Sequence, residues 1–177
     1  MSYAASYKQA LTNPVAFWLQ QAQRLSWFNT PTQAVDTSEL ATGRWFGDGV
    51  MNTSYMALDH HVNNGRGDQV AIHYDSPVTG SKSSLTYSQL LAQVALFGGV
   101  LTQQGVAKGD RVVIYMPMVM EAAIAMLACA RIGAVHSVVF GGFAAAELAV
   151  RIDDAKPTAI ISASCGIEVA KIIAYKP

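Results

Sequence analysis

GDRVVIYMPMVMEAAIAMLACARIGAVHSVVFGGF, residues 109–143, decides the fold. It holds two runs rich in Val and Ile, 111–115 and 135–140, separated by an apolar segment that Pro117 opens and Gly133 closes. Apolar runs without polar alternation mark strands buried on both faces, and a helix between two such strands joins a parallel pair. Downstream, 143–155 has helical character and Pro157 introduces a third strand, 158–162, so the segment reads βαβαβ. The expected fold is α/β, a parallel sheet covered by helices on both faces and wound with right-handed crossovers. Ligands of such sheets sit at the carboxyl ends of the strands, which directs attention to the loops after Tyr115, Phe140 and Ser162.

Upstream of this unit, Thr86 and Gln89 form a capping box for a helix ending at Gly105, with Leu90, Leu91, Val94, Phe97 and Leu101 at helical spacing. Residues 69–74 and 84–87 read as the strands of a hairpin, and Lys108, Gly109 and Asp110 as the turn into the strand at 111. Asn52 or Thr53 caps a helix through Val62, which Asn63, Asn64 and Gly65 end. Residues 29–51 are irregular apart from a short strand at 44–46, and 6–28 hold two short helices, the second opened by Asn13 and Pro14. Phe17, Trp18 and Leu25 form an apolar stripe there. Residues 29–51 read as an extension that wraps over a larger body, and the composition shift after Gly65 divides a helical and irregular N-terminal extension, 1–65, from an α/β domain that starts at 66.

Composition removes several classes of function. Of 177 residues, 51% are hydrophobic and 14% charged, which gives the capacity to build a core and excludes disorder. Twelve basic side chains balance twelve acidic ones, so no net field draws the chain to nucleic acid or an anionic membrane. The uncharged stretch 83–107 is amphipathic, and the apolar run from 116 contains Glu121 and stops at Arg131, so neither predicts a membrane span. Cys129 and Cys165 lack the spacing of a zinc site or a disulfide framework, and no apolar leader precedes them, which predicts a cytoplasmic setting.

Candidate chemistry is sparse. Gly141 and Gly142, between a strand and a helix, let a ligand approach the backbone at a helix N-terminus, but without GxGxxG the residues by themselves favour a tight turn with close packing over a ligand site. Gly80 to Ser83 resembles the end of a phosphate loop, but no helix follows, so a hairpin loop is expected. His60 and His61 point about 100° apart on a helix and cannot chelate together. His136, in an apolar strand, is expected as a hydrogen-bonded core residue, and Met116, Met118, Met120 and Met126 as core fillers beside a buried Cys129. No nucleophile with an adjacent base and no acid/base pair emerges, and no metal site.

Longer strings carry more. FWLQQAQRLSWF (17–28) and RWFGDGVMNTSYMALD (44–59), then the run 109–143 and RIDDAKP (151–157), resemble the N-terminal part of the acetyl-CoA and propionyl-CoA synthetases, in the adenylate-forming acyl-CoA ligase family. YMPM (115–118), RIDDAKP and the ending KIIAYKP (171–177) lean toward the propionate branch. The resemblance implies a two-step ligation. A short carboxylate, propionate or alternatively acetate, attacks the α-phosphate of ATP to give an acyl-adenylate and pyrophosphate, and the CoA thiol then displaces AMP, with Mg²⁺ neutralising the phosphates. It implies that Phe140, Gly141 and Gly142 form the turn that approaches CoA, and that Glu168 and Lys171 stand where acetate-type enzymes place two Arg against the CoA nucleotide. Lys171 keeps a point charge without the bidentate fork, and Glu168 repels a phosphate.

The family's phosphate loop, adenine and carboxylate segments and catalytic Lys domain do not occur in the 177 residues. The resemblance therefore implies an N-terminal part that needs the remainder of a ligase chain as partner, binds neither nucleic acid nor membrane, contributes no catalytic residue, and makes no acyl-CoA alone. Two rival expectations are a free-standing nucleotide or CoA-binding domain built on the Gly141 turn, and a noncatalytic interaction piece with an exposed sheet edge.

Overall fold

Val112, Val113 and Ile114 are completely buried, and these consecutive side chains set the layers of the molecule because they point alternately to opposite faces of one strand. The computed structural model describes residues 2–38, 43–141, 145–168 and 171–175. It divides into two compact units, Met1–Asn52 and Thr53–Pro177.

In the first unit, α1 (Tyr3–Thr12) and α2 (Pro14–Ala22) match the two expected helices. The Asn13 side chain accepts from the Ala16 N–H at 3.1 Å, and Pro14 fills the first helical position, where a missing N–H costs nothing. The second helix stops at Ala22 rather than running on toward Phe28, because the Trp27 indole N–H takes the Ala22 carbonyl at 2.8 Å. Of the apolar stripe only Phe17 is buried; Trp18 and Leu25 are exposed. A short antiparallel pair, β1 (Val35–Asp36) and β2 (Arg44–Trp45), follows. Asp48 fastens the loop before it, accepting from both the backbone N–H and the hydroxyl of Thr32 at 2.7 Å.

The second unit opens with a helical stretch whose turns at Tyr55–Asp59 and Val62–Arg66 have the wider π spacing, a correction to the expected α-helix ending at Asn63. Gly65, at φ +77°, breaks it, and the Asn64 amide donates to the His60 carbonyl at 2.6 Å. Arg131 grips this stretch bidentately through Asp59, at 2.7 and 3.1 Å. The hairpin of β3 (Val70–Ser76) and β4 (Ser81–Thr86) is antiparallel, with Lys82 paired to Asp75 across the strands at 2.7 Å. Lys82 thus serves the hairpin, as expected, and no phosphate loop forms there. Helix α3 (Tyr87–Gln103) has the expected capping box, Gln89 N–H to Thr86 Oγ1 at 3.2 Å and Thr86 N–H to Gln89 Oε1 at 2.9 Å.

The strands β5 (Arg111–Met116), β6 (Val135–Phe140) and β7 (Ala159–Ser162) form one parallel sheet in the order β6-β5-β7, connected through α4 (Met120–Ile132) and α5 (Ala145–Ala155). Val112 and Ile114 pack with Leu90, Val94 and Leu101 of α3 and with Ile124, Ala125 and Ala128 of α4. Val113, Tyr115 and Val139 face the other way, against Leu148 and Ala155 of α5. Each fully buried Val, Leu or Ile contributes about 1.5–3 kcal/mol from removal of its surface from water, so this alternation on β5 is what holds the two layers together.

Four further details depart from expectation. Pro117 does not open α4; Val119 is still extended (φ −123°, ψ 160°), and residues 117–119 remain loop at the end of β5. His136 is exposed rather than core, since β6 is an edge strand with Val135 and Val138 also exposed. Met118 is 87% exposed, whereas Met116 and Met126 do pack on the core. Beyond β7 an unexpected antiparallel pair, β8 (Cys165–Ile167) and β9 (Ile172–Ala174), forms a second hairpin.

Candidate functional site

In a sheet of order β6-β5-β7, the connection from β5 to β6 and that from β6 to β7 run opposite ways, so the winding reverses about β5, and the carboxyl ends of β5 and β7 are where a ligand site is sought. A groove of about 540 Å³ occupies this place. Its walls are residues 116–119 after β5, Ala163, Ser164 and Cys165 after β7, and Tyr74, Ser76, Val78 and Thr79 from the first hairpin. The lining is largely apolar with Glu121 at its edge, which suits an organic ligand rather than a bare ion.

A second, smaller cleft of about 150 Å³ adjoins the turn after β6. Pro117 and Met118 form one side, Gly141 the floor, and Gly166, Ile167, Glu168, Ile173 and Tyr175 of the second hairpin the other side. The buried Tyr115 hydroxyl donates to the Gly141 carbonyl at 3.4 Å, and the Tyr115 and Tyr175 rings meet at 4.6 Å. At the hairpin tip the Glu168 N–H donates to the Lys171 carbonyl at 2.9 Å, and the Lys171 N–H returns to the Glu168 carbonyl at 3.3 Å. This brings Glu168 and Lys171 side chains to 3.8 Å, both more than half exposed. The pair is therefore a solvated one, worth a fraction of a kcal/mol.

The residues expected from the sequence thus fall as follows. Phe140 ends β6, its backbone in register with Met116. Gly141 is buried at the cleft floor. Gly142 lies outside the described residues. Glu168 lines the same cleft as Gly141, and Lys171 is its ion-pair partner. Three expected residues separated by up to thirty positions therefore converge, whereas His60, His61 and Cys129 lie elsewhere. His61 stacks near Tyr87 at 4.8 Å and meets Arg66 at 3.0 Å; burial, then the Arg66 and His60 charges, push its pKa down. Cys129 is fully buried, and burial pushes its thiol up to about 11.

Tyr115 and Tyr175 were not expected at the site. Tyr115 reads as one more apolar strand residue, and only its position as the last inward side chain before the loop marks it. Tyr175 belongs to a hairpin too short to show a period. Among the described residues no group of three His, Cys, Asp or Glu side chains converges on a point. No helix among the described residues is long and apolar enough to cross a membrane.

An apolar groove at the carboxyl ends of a parallel α/β sheet is the place where proteins of this architecture as a class hold organic ligands. Comparison with known proteins makes this particular. Residues 58–175 match the AMP-binding enzyme family, and residues 3–57 match the acetyl-coenzyme A synthetase N-terminus. The chain belongs to the AMP-binding enzyme family and has an acetyl-coenzyme A synthetase type of N-terminus. It is 48% identical over 175 residues to the mitochondrial acyl-CoA synthetase short-chain family member 3 of Bos taurus, covering 99% of this chain and 26% of that protein. It is 49% identical over 174 residues to the acetyl-coenzyme A synthetase of Streptomyces coelicolor, covering 98% and 27%. The chain spans about a quarter of the length of these curated relatives. Among solved structures, the acetoacetyl-CoA synthetase from Streptomyces lividans superimposes with a TM-score of 0.86 at 23% identity, over 98% of this chain and 27% of that one, which establishes the shared fold.

Proposed function

We propose that the chain is the N-terminal part of a short-chain acyl-CoA ligase that joins propionate to CoA at the cost of ATP, giving propionyl-CoA, AMP and pyrophosphate through an acyl-adenylate. Residues 1–65 serve as the extension and 66–177 as the start of the adenylation domain. Its own contribution is to the CoA entrance: the turn of Phe140, Gly141 and Gly142, with Glu168 and Lys171 facing the CoA nucleotide. The observation that carries this reading is the convergence of Gly141 and Glu168 on one cleft, with Lys171 paired to Glu168 at 3.8 Å. No catalytic residue lies in the segment; adenylation belongs to the remainder of the ligase chain. ATP and Mg²⁺ act there, and the setting is cytoplasmic, as two unpaired cysteines favour.

The sequence features of the propionate branch support propionate over acetate. An antibody against this segment, used to capture the polypeptide as its source makes it, allows a direct assay with ATP, CoA and Mg²⁺. Thioester formation with a higher kcat/KM for propionate than for acetate is expected, and none from the 177-residue chain alone. A preference for acetate moves the assignment to acetate-CoA ligase. Absence of thioester from the captured polypeptide with every short carboxylate overturns it, and micromolar CoA binding by a captured product of only this length supports the free-standing binding domain.

A further inference from the structure

Tyr175 occupies the cleft in a way that explains both glycines beside it. Its phenol oxygen is the first atom that a Cβ on Gly141 or on Gly166 would meet, and its Cζ stands 3.1 and 2.9 Å from those two positions. Neither glycine has a positive φ, so backbone conformation does not demand glycine at either place. Space does: for the phenol at both, and at Gly141 also for the Met116 carbonyl oxygen, 3.1 Å from the Cβ position. The ring packs on Tyr115 at 4.6 Å and on the Val113, Tyr115 and Val139 cluster. The Tyr175 backbone N–H donates to the Ser164 carbonyl at 2.9 Å, closing the open end of the second hairpin just beyond the Cys165 and Ala174 pair. Burial raises the Tyr175 pKa, and the Tyr115, Cys165 and Glu168 charges add to the shift, so the phenol stays neutral at neutral pH.

The hairpin is thus held at its base, and Glu168 and Lys171 sit at its other end. We propose that Tyr175 is a positioning residue: seated between Gly141 and Gly166, it fixes the β8-β9 hairpin against the turn after β6 and so sets where Glu168 and Lys171 meet the nucleotide end of CoA. This inference rests on the CoA reading above. Tyr175 touches no reacting atom, and its effect passes through the hairpin.

The test uses the polypeptide as the cell makes it, with Tyr175→Ala, Tyr175→Phe, Gly166→Ala and, as reference, Lys171→Ala. Tyr175→Ala and Gly166→Ala, which empty or displace the phenol, are expected to raise KM for CoA about tenfold, the scale of one or two side chains left to be ordered on binding. Carboxylate-dependent ATP–pyrophosphate exchange, which needs no CoA, stays within about twofold of the wild type. Tyr175→Phe keeps the ring on Tyr115 and restores most of the loss seen with Tyr175→Ala. A general structural role would lower the exchange reaction in parallel, and that result overturns the proposal. So does an unchanged KM for CoA in Tyr175→Ala and Gly166→Ala while Lys171→Ala raises it. If Lys171→Ala also leaves KM unchanged, the CoA reading itself fails and takes this inference with it. Should Tyr175→Ala not fold, Gly166→Ala and Tyr175→Phe decide between these outcomes.

Discussion

Cutting the Asp59–Arg131 pair is expected to destabilise the second unit substantially. The two side chains are 17% and 31% exposed and joined by two parallel hydrogen bonds of 2.7 and 3.1 Å, between residues 72 positions apart. A net hydrogen bond to a charged group is worth about 1.5–3 kcal/mol when buried; partial exposure reduces each here toward the lower end. Asp59→Ala leaves a guanidinium that still reaches water and is expected to cost about 2 kcal/mol. Arg131→Ala strands the more enclosed carboxylate and is expected to cost about 3 kcal/mol. With a coupling energy of about 2 kcal/mol, the double variant costs little more than Arg131→Ala alone. Urea unfolding followed by far-ultraviolet circular dichroism measures this, since about 2 kcal/mol corresponds to a midpoint shift of about 1 M for a domain of this size. Tryptophan emission would not, because Trp18, Trp27 and Trp45 all lie in the first unit. A coupling energy under about 0.5 kcal/mol would refute the reasoning and class the pair with screened surface ion pairs.

Cysteine labelling separates the two thiols. At pH 8 the native chain is expected to take alkylating reagent at Cys165 and not at Cys129, whose buried thiol is pushed up to about 11, while both react in urea; mass spectrometry of the peptides reads the result. The Thr32 hydroxyl and backbone N–H hold the Asp48 carboxyl below its ordinary 3.8, so its stabilising contribution is present above that pH and lost as pH falls through the lowered value. Asp48→Asn is expected to lower the urea midpoint seen by tryptophan emission at pH 7 and to converge with the wild type in strong acid. Gly133 ends α4 at φ +76°, with Lys108 Cγ 2.9 Å from where a Cβ would stand. Gly133→Ala is expected to cost about 1–2 kcal/mol, read as a lowered urea midpoint by circular dichroism.

The order of elements in the sheet was legible because Val112 to Tyr115 and Val135 to Val139 carry no charge and stand between helices with recognisable ends, Thr86 and Gln89 at one start and Gly133 at one stop. Whether a strand lies at the centre or the edge was not. His136 and Val138 look alike from sequence whether or not a neighbour covers β6, and only the β6-β5-β7 order exposes them. Pro117 suited a first helical position, but helix initiation waited for Met120 because the end of β5 turns outward to border the groove. The π spacing at Tyr55–Asp59 left no mark in composition. At the site, Gly141 was legible as a turn glycine, but its actual constraint, the phenol of Tyr175, comes from 34 positions downstream and has no local signature.

The fit of one phenol between two glycines ties three positions into a single unit of inheritance. A methyl group at 141 or 166 displaces the phenol while a tyrosine fills the cleft; a smaller side chain at 175 removes the three nearest contacts at 166, whereas 141 still meets the Met116 carbonyl oxygen at 3.1 Å. Substitutions here are therefore epistatic: alanine at 166 costs least once bulk at 175 is lost, and a lineage that has accepted it reseats a tyrosine at 175 fully only by restoring the glycine.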